Sequence, residues 1–270
     1  MNRTCTLRKP VAVPQPWPWA VRGFRGYARR YVAKHFHALR LARATLPDLG
    51  DGPVLLVLNH PSWWDPLIAT VLSGCWPERT HFAPMDAAAL ERYGIFRRLG
   101  MYGVAAGTLR GAATFLHVGN AILARPDALL WVTAQGRFAD VRERPAGLLP
   151  GVGRLAATMT HGVVVPLALE YTFWNERLPE ALVRFGPPVA VTEYPGRTPA
   201  AWTQHIATCL EETQDALATA ARRRDPAAFT TVVGGQAGVA GVYGRWQRLA
   251  AWWRGRPFQA EHGTKRVAPQ

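Results

Sequence analysis

The chain has 270 residues, 49% of them hydrophobic, with eleven tryptophans and a formal net charge of +14. This length suffices for one α/β domain with a substantial core, and the apolar content excludes a disordered chain. The three cysteines, Cys5, Cys75 and Cys209, are widely separated and odd in number. They match neither a metal-binding spacing nor a disulfide framework, which favours a reducing compartment.

The positive charge is concentrated at the two ends of the chain. Residues 1–47 contain eight Arg, two Lys and no acidic residue, and residues 240–270 are also basic. Basic ends favour contact with an anionic surface, either a membrane or a nucleic acid. No apolar run approaches the roughly 20 residues that a membrane-spanning helix requires. No apolar run follows the basic N-terminus, so a signal peptide is not expected.

The first predicted element is an amphipathic helix. Apolar residues recur at spacings of three and four from Trp17 to about Arg43, while Arg22, Arg25 and Arg29 share a different stripe. Such a helix suits a bilayer interface, but it also suits packing on the rest of the protein with its basic side in water. We assign residues 1–47 to a basic, aromatic membrane-interface segment.

The middle of the chain alternates strand-like and helix-like segments. This alternation predicts an α/β fold, a mixed twisted sheet covered by helices, with amphipathic helices at the termini. The predicted strands are Val54–Leu58, His81–Ala83, Leu129–Thr133, Val163–Leu169 and Ala181–Phe185. The predicted helices are Pro66–Ser73, Ala87–Leu99, Gly111–Ala124 and Thr198–Arg224. The predicted domain spans residues 48–233, and residues 234–270 comprise a glycine-rich link and a second basic helix.

The most informative segment is Asn59-His60-Pro61-Ser62-Trp63-Trp64-Asp65-Pro66, directly after the apolar run Val54–Leu58. The run predicts a buried strand, and Pro61 and Ser62 predict the start of a helix. Histidine is the commonest general base near neutral pH, and a nearby carboxylate fixes its tautomer. The spacing therefore predicts a His60–Asp65 pair that acts without a nucleophilic serine. The alternative is a surface pair without a function.

This octapeptide resembles the NHxSxxD signature of the glycerolipid acyltransferases, the family of lysophosphatidic acid acyltransferases and their relatives. The resemblance implies that His60 is the general base on an acceptor hydroxyl and that Asp65 orients it. The hydroxyl would attack an acyl thioester directly, without a covalent acyl-enzyme. Acyl-CoA or acyl carrier protein is then the co-substrate, with no metal or other cofactor. Asn59 and Ser62 become candidate substrate-binding residues.

The resemblance extends over roughly residues 50–190, with departures. Where the family carries Phe-Pro-Glu-Gly-Thr-Arg after a strand, this chain has Thr133-Ala134-Gln135-Gly136-Arg137-Phe138. Gly136 matches, Gln135 replaces the Glu, Phe138 replaces the Arg, and Arg137 is displaced by one position. The resemblance makes Gln135, Gly136 and Arg137 candidate substrate-binding residues. Backbone N–H groups near Gly136 are candidate donors to an oxyanion.

Two further blocks bear on the acceptor. Pro166, within Val163–Leu169, matches the proline-bearing strand that lines the substrate site in the family. The family places a phosphate-binding Arg in the segment that corresponds to residues 99–107. This segment contains no Arg, and the next one along the chain is Arg110. Arg110 and Arg137 are candidate replacements, since phosphate recognition normally uses Arg or Lys donors. The missing arginines favour a non-phosphorylated or bulky acceptor over lysophosphatidic acid.

Together these features predict a peripheral O-acyltransferase on the cytoplasmic side of a membrane. It would move a fatty acyl group from acyl-CoA or acyl carrier protein to a hydroxyl of a lipid-like acceptor. Its expected partners are an anionic membrane surface, the thioester donor and a lipid or glycolipid acceptor, with no nucleic acid. The alternatives are a lysophosphatidic acid acyltransferase, a non-catalytic membrane-binding module of the same fold, and a nucleic-acid binder. No Gly-x-Ser-x-Gly elbow supports a serine hydrolase.

Overall fold

The computed structural model of the chain describes residues 13–43 and 45–236. A nine-stranded mixed sheet forms the centre of the fold, in the order β4-β3-β5-β2-β6-β7-β1-β9, with β8 paired to β6. The strands are β1 Ala38–Ala42, β2 Val54–Leu58, β3 Thr80–Asp86, β4 Met101–Val104, β5 Ala128–Thr133, β6 Val163–Thr172, β7 Glu180–Phe185, β8 Val189–Ala190 and β9 Phe229–Gly234.

Helices cover both faces of the sheet. They are α1 Pro18–His35, α2 Asp65–Leu72, α3 Ala87–Arg92, α4 Leu109–Leu123, α5 Gly151–Thr158 and α6 Pro199–Arg223. On one face, Val32 of α1 and Ile68 of α2 join a buried cluster with Leu56 of β2. On the other, α4, α5 and α6 pack on the alternate residues of β2 and β5. The predicted α/β sheet covered by helices is confirmed. Within the described residues, no helix has the length and apolar character needed to span a membrane.

Strand β2 occupies the middle of the sheet. It pairs in parallel with β5 on one side and β6 on the other, and all five of its residues are buried. A continuous apolar run is typical of a parallel strand that is covered on both faces. Residues that follow β2 therefore emerge at the carboxyl edge of parallel strands, where α/β sheets hold ligands.

The first predicted helix is too long. Helix α1 ends at His35, and residues 38–42 form β1, which pairs with β7 and β9 and is wholly buried. The prediction of a helix as far as Arg43 is wrong because backbone pairing on both sides stabilises these five residues as a strand. The sheet thus includes a strand from the basic segment 1–47.

The arginine stripe on α1 is only partly free for an anionic surface. Arg25 donates to the hydroxyl and carbonyl oxygens of Ser73, both at 3.2 Å, and Arg29 donates to the Val232 carbonyl at 3.2 Å. The predicted apolar stripe packs on the domain through Ala28 and Val32, which are fully buried. The second basic helix, predicted within residues 234–270, lies outside the described residues apart from the start of its link.

Other element boundaries also differ from the predictions. Helix α3 ends at Arg92 and residues 94–99 form a 3-10 helix, so the prediction of one helix to Leu99 is wrong. Gly94 lowers helix propensity at the break. Pro61 and Ser62 do not begin a helix, since α2 starts at Asp65. The short elements β4, α5 and β9 had no predicted counterpart.

Candidate active site

The segment after β2 forms a tight turn into α2. The Ser62 carbonyl accepts the Asp65 N–H at 3.2 Å, and the Ser62 hydroxyl accepts the Trp64 N–H at 3.3 Å. Pro66 follows at the first turn of α2, where a missing N–H costs nothing. The turn brings together two side chains that are five residues apart, so Ser62 has a clear local role in the site.

His60 and Asp65 form a short hydrogen bond. His60 Nδ1 lies 2.5 Å from Asp65 Oδ2. The bond places the ring proton on Nδ1 and leaves Nε2 with the lone pair that accepts a proton. The Asp65 side chain is 1% exposed and the His60 side chain 19% exposed. A buried carboxylate behind a solvent-reaching imidazole is the arrangement of an oriented general base.

Both oxygens of the Asp65 carboxylate have donors. Oδ2 also accepts the Ser62 N–H at 3.1 Å, and Oδ1 accepts the Tyr171 hydroxyl at 2.6 Å. Asp65 also lies in the first turn of α2, where the helix dipole stabilises an anion. Donors and dipole together offset the cost of burying this charge.

Tyr171 is a site residue that the sequence analysis missed. It lies on β6, two residues beyond Leu169, the predicted end of that strand. Side chains of a strand alternate between faces, so Tyr171 shares the face of Leu169 and reaches Asp65. Burial, and then the charge of Asp65 and the hydrogen bond to it, raise the pKa of Tyr171 well above its ordinary value.

Asn59 fastens β6 to the end of β2. Its amide nitrogen donates to the Leu169 carbonyl at 2.9 Å, and its amide oxygen accepts the Leu169 N–H at 2.8 Å. The side chain is buried and imitates one more step of the ladder between the two strands. Both ends of the Asn59 amide are thus hydrogen-bonded to the backbone of Leu169. The contact of Asn59 with substrate remains a prediction.

The segment between β5 and α5 holds the His60 backbone from both sides. The His60 N–H donates to Gln135 Oε1 at 3.0 Å, and the His60 carbonyl accepts the Ala139 N–H at 3.0 Å. Gln135 Nε2 donates to the Ala146 carbonyl at 3.1 Å, and Gln135 is buried. An ionised glutamate at this position could not donate a hydrogen bond to the Ala146 carbonyl. The Gln that departs from the family pattern therefore uses both ends of its amide.

Gly136 occupies a position that is strained for other residues. Its φ is +65°, and a Cβ there would lie 2.5 Å from a methyl group of Leu149. Its N–H donates to the Thr133 carbonyl at 3.1 Å, so this amide is used within the turn. The next two amides, of Arg137 and Phe138, donate to no acceptor within residues 13–43 and 45–236. The Phe138 ring centroid lies 4.4 Å from that of His60, and Phe138 is 58% exposed.

The remaining predicted residues, Arg137, Arg110 and Pro166, occupy different places relative to His60 and Asp65. Arg137 is on the surface beside the site, in an ion pair with Glu143 that raises the pKa of the Arg137 guanidinium. Arg110 is exposed in the first turn of α4, after β4, which is three strands away from β2. Pro166 is buried within β6 opposite Val57. The described residues contain no cluster of His, Cys, Asp and Glu suited to a metal ion.

Comparison with known proteins supports the family resemblance at the level of fold. No protein-family model and no curated protein matches the chain. Among solved structures, it is similar to the 1-acyl-sn-glycerophosphate (LPA) acyltransferase, PlsC, from Thermotoga maritima, with a TM-score of 0.51 and 12% sequence identity. The match covers 73% of this chain and 79% of that one. The chain thus has the mixed α/β fold of a glycerolipid acyltransferase, as its NHPSWWDP segment predicts.

Proposed function

We propose that the protein is an O-acyltransferase that moves a fatty acyl group from a thioester to a hydroxyl group of a lipid acceptor. One observation carries this proposal. The 2.5 Å bond between His60 and Asp65 stands at the carboxyl end of β2, with Nε2 on the open side of the ring. The similarity to an acyltransferase fold supports this reaction class, and His60 is the base that we propose for it.

In the proposed reaction His60 takes the acceptor's proton on Nε2 as the hydroxyl oxygen bonds to the thioester carbonyl carbon. Asp65 stabilises the imidazolium that forms. The tetrahedral oxyanion then collapses, the carbon–sulfur bond breaks, and the leaving thiolate, of CoA or of the acyl carrier protein, takes the proton from His60. The products are an ester and a free thiol. The ring is again neutral, so no other acid or base is consumed.

The amides of Arg137 and Phe138 are the proposed donors to the oxyanion. They follow Gly136 in the turn beside His60 and have no other acceptor among the described residues. Backbone donors fixed before the reaction are effective because they need no reorganisation when the charge develops, and loss of one costs about 10²–10³ in kcat.

The central test is His60→Ala, measured by thiol release from acyl-CoA with a mixed lipid acceptor. Thiol release should fall by about 10²–10⁴, the usual contribution of general acid–base catalysis. His117→Ala is a matched control because His117 is exposed on α4, and it should retain wild-type activity. Full turnover in His60→Ala would contradict the mechanism. A wild-type protein without turnover, on folded and vesicle-bound samples, would favour the non-catalytic module.

We propose further that the acceptor lacks a phosphate beside the reacting hydroxyl. Phe138 places an exposed aromatic ring against His60 at the position of the family's Arg, and Arg137 is paired with Glu143. An aromatic face suits the apolar side of a sugar or a lipid chain better than a phosphate. In an acceptor panel, the wild type should prefer a glycolipid, and Phe138→Arg should shift the preference towards lysophosphatidic acid by about tenfold. A wild-type preference for lysophosphatidic acid would favour the alternative acceptor.

Peripheral attachment to an anionic membrane is the last part of the proposal. Trp19 of α1 is 62% exposed and Trp63, beside the site, is 65% exposed, while Arg22 and Arg30 of α1 are also exposed. Tryptophan and arginine side chains suit a lipid interface. Trp19→Ala with Trp63→Ala should weaken sedimentation with anionic vesicles. Leu46→Ala should not, since Leu46 is an exposed residue of the segment that leads from β1 to the amino end of β2. Equal sedimentation of all variants would tell against this surface.

A further inference from the structure

We propose that Tyr171 is a positioning residue of the active site, which holds the Asp65 carboxylate and through it sets the orientation and the proton affinity of His60. The role of Tyr171 in turnover rests on the proposed acyl transfer. Its effect on the hydrogen bond between His60 and Asp65 does not.

The geometry divides the donors between the two carboxylate oxygens. Tyr171 alone among the described side chains donates to Oδ1, at 2.6 Å, while His60 and the Ser62 N–H share Oδ2. Donors on both oxygens prevent rotation of the carboxylate about its Cβ–Cγ bond. Without Tyr171, the Oδ1 atom of a buried carboxylate would have no donor, and the group would be free to turn away from His60.

The Tyr171 ring is itself held by its surroundings. Asn59 fixes β6 to β2 two residues earlier, at Leu169. The ring lies 5.6 Å from that of Phe36, which makes an edge-to-face contact with Trp64 at 4.9 Å. Trp64 belongs to the same turn as His60 and Asp65. The hydroxyl is thus placed by the attachment of β6 to β2 and by Phe36, which contacts the segment that holds His60 and Asp65.

Tyr171 also affects the charge of the pair. Because its pKa is raised well above the ordinary value, it stays protonated and can only donate to Asp65 at any working pH. A donor spreads the negative charge of the carboxylate, so Asp65 attracts a proton on His60 less strongly than a bare carboxylate would. The Tyr171 hydroxyl thus shares the charge of Asp65 with the His60 ring, which links this hydroxyl to proton transfer at His60.

Tyr171→Phe tests the inference because it removes the hydroxyl and keeps the ring. Tyr102→Phe is the matched control, since Tyr102 is buried on β4 and its hydroxyl has no partner among the described residues. In Tyr171→Phe, kcat should fall about tenfold, as for the loss of a hydrogen bond to a charged group, with KM nearly unchanged. The acid limb of the kcat profile should move to higher pH. Tyr102→Phe should change neither.

A second measurement does not depend on turnover. The downfield proton NMR signal of the Nδ1–H between His60 and Asp65, assigned by its absence in His60→Ala, should shift in Tyr171→Phe and stay in place in Tyr102→Phe. An unmoved signal, or an acid limb and kcat equal to the wild type, would overturn the inference. A shifted signal in a protein without thioester turnover would retain the positioning of Asp65 and tell against acyl transfer instead.

Discussion

The molecule contains two histidine–carboxylate pairs with nearly the same geometry. His60 lies 2.5 Å from Asp65, and His37 lies 2.6 Å from Glu180. Both pairs stand at the same edge of the sheet, since the carboxyl ends of β2 and β6 meet the amino ends of β7 and β1. We propose a catalytic role for His60–Asp65 and a structural role for His37–Glu180. The hydrogen-bond distance is nearly the same in both pairs, so it does not distinguish these roles.

Two features distinguish the pairs: Arg40 beside Glu180, and the exposure of His60 to solvent. Glu180 also accepts from Arg40 at 2.9 Å, and Arg40 contacts Thr231 of β9, so this pair joins β1 to its neighbours. The side chains of His37, Arg40 and Glu180 are all buried. The other donors to Asp65 are neutral, and His60 has a free nitrogen towards solvent. In the proposed reaction, the neutral donors to Asp65 leave the developing positive charge to the His60 imidazole.

The largest expected effect is on catalysis, in Asp65→Asn. An amide at this position cannot stabilise an imidazolium and can leave the ring in the other tautomer. We expect kcat to fall by about 10²–10⁴, since the base would lose both its orientation and its counter-charge. Thiol release from acyl-CoA measures this loss. Wild-type kcat in Asp65→Asn would place the chemistry elsewhere.

Glu180→Gln should lower the stability of the protein and leave its catalysis nearly unchanged. It leaves the buried Arg40 without a counter-ion, and breaking a buried pair from one side costs about 3–5 kcal/mol of stability. Urea unfolding measures this cost, and the kcat of the protein that remains folded should stay within about twofold of the wild type. If Glu180→Gln lost catalysis without losing stability, the two pairs would have to exchange their assigned roles.

A third imidazole, that of His81, has a hydrogen-bond partner on each ring nitrogen. Nδ1 accepts the Trp131 indole N–H at 3.1 Å, and Nε2 donates to the Trp76 carbonyl at 3.0 Å. Burial, above all, lowers the pKa of His81 to about 4. The unfolded chain binds this proton near pH 6.5, so the contribution of His81 to stability is complete above that pH. It falls as the pH decreases towards 4.

The expected loss from His81 is about 2–3 kcal/mol between pH 7 and pH 4. Urea unfolding at several pH values measures it, with His81→Gln as the control that keeps a polar side chain but does not titrate there. The free energy of unfolding of the variant should depend less on pH over this range. Parallel pH curves for the two proteins would contradict a lowered pKa of His81 in the folded protein.

Sequence patterns located the pair but not what supports it. The apolar run before Asn59 predicted β2, and the spacing of His60 and Asp65 predicted their contact, because both signals are local. Tyr171 and the anchoring role of Gln135 depend on β6 and β5 lying beside β2. Such long-range contacts leave no periodicity in the chain. For the same reason β1 was predicted as helix, since its strand form depends on pairing with β7 and β9.

The smallest effect concerns the backbone of His60 and is expected in Gln135→Glu. A glutamate would turn an acceptor oxygen towards the Ala146 carbonyl, so one hydrogen bond is lost and two acceptors face each other. We expect a loss of about 1–3 kcal/mol in the free energy of unfolding, with lower kcat because His60 is less firmly held. Gln214→Glu is the matched control, since this buried amide also donates to a carbonyl, that of Val141. Both variants should melt at lower temperature, but only Gln135→Glu should lower kcat at temperatures where the protein is folded. Equal losses of kcat would mean that the segment between β5 and α5 acts on the site through general stability rather than through its bond to His60.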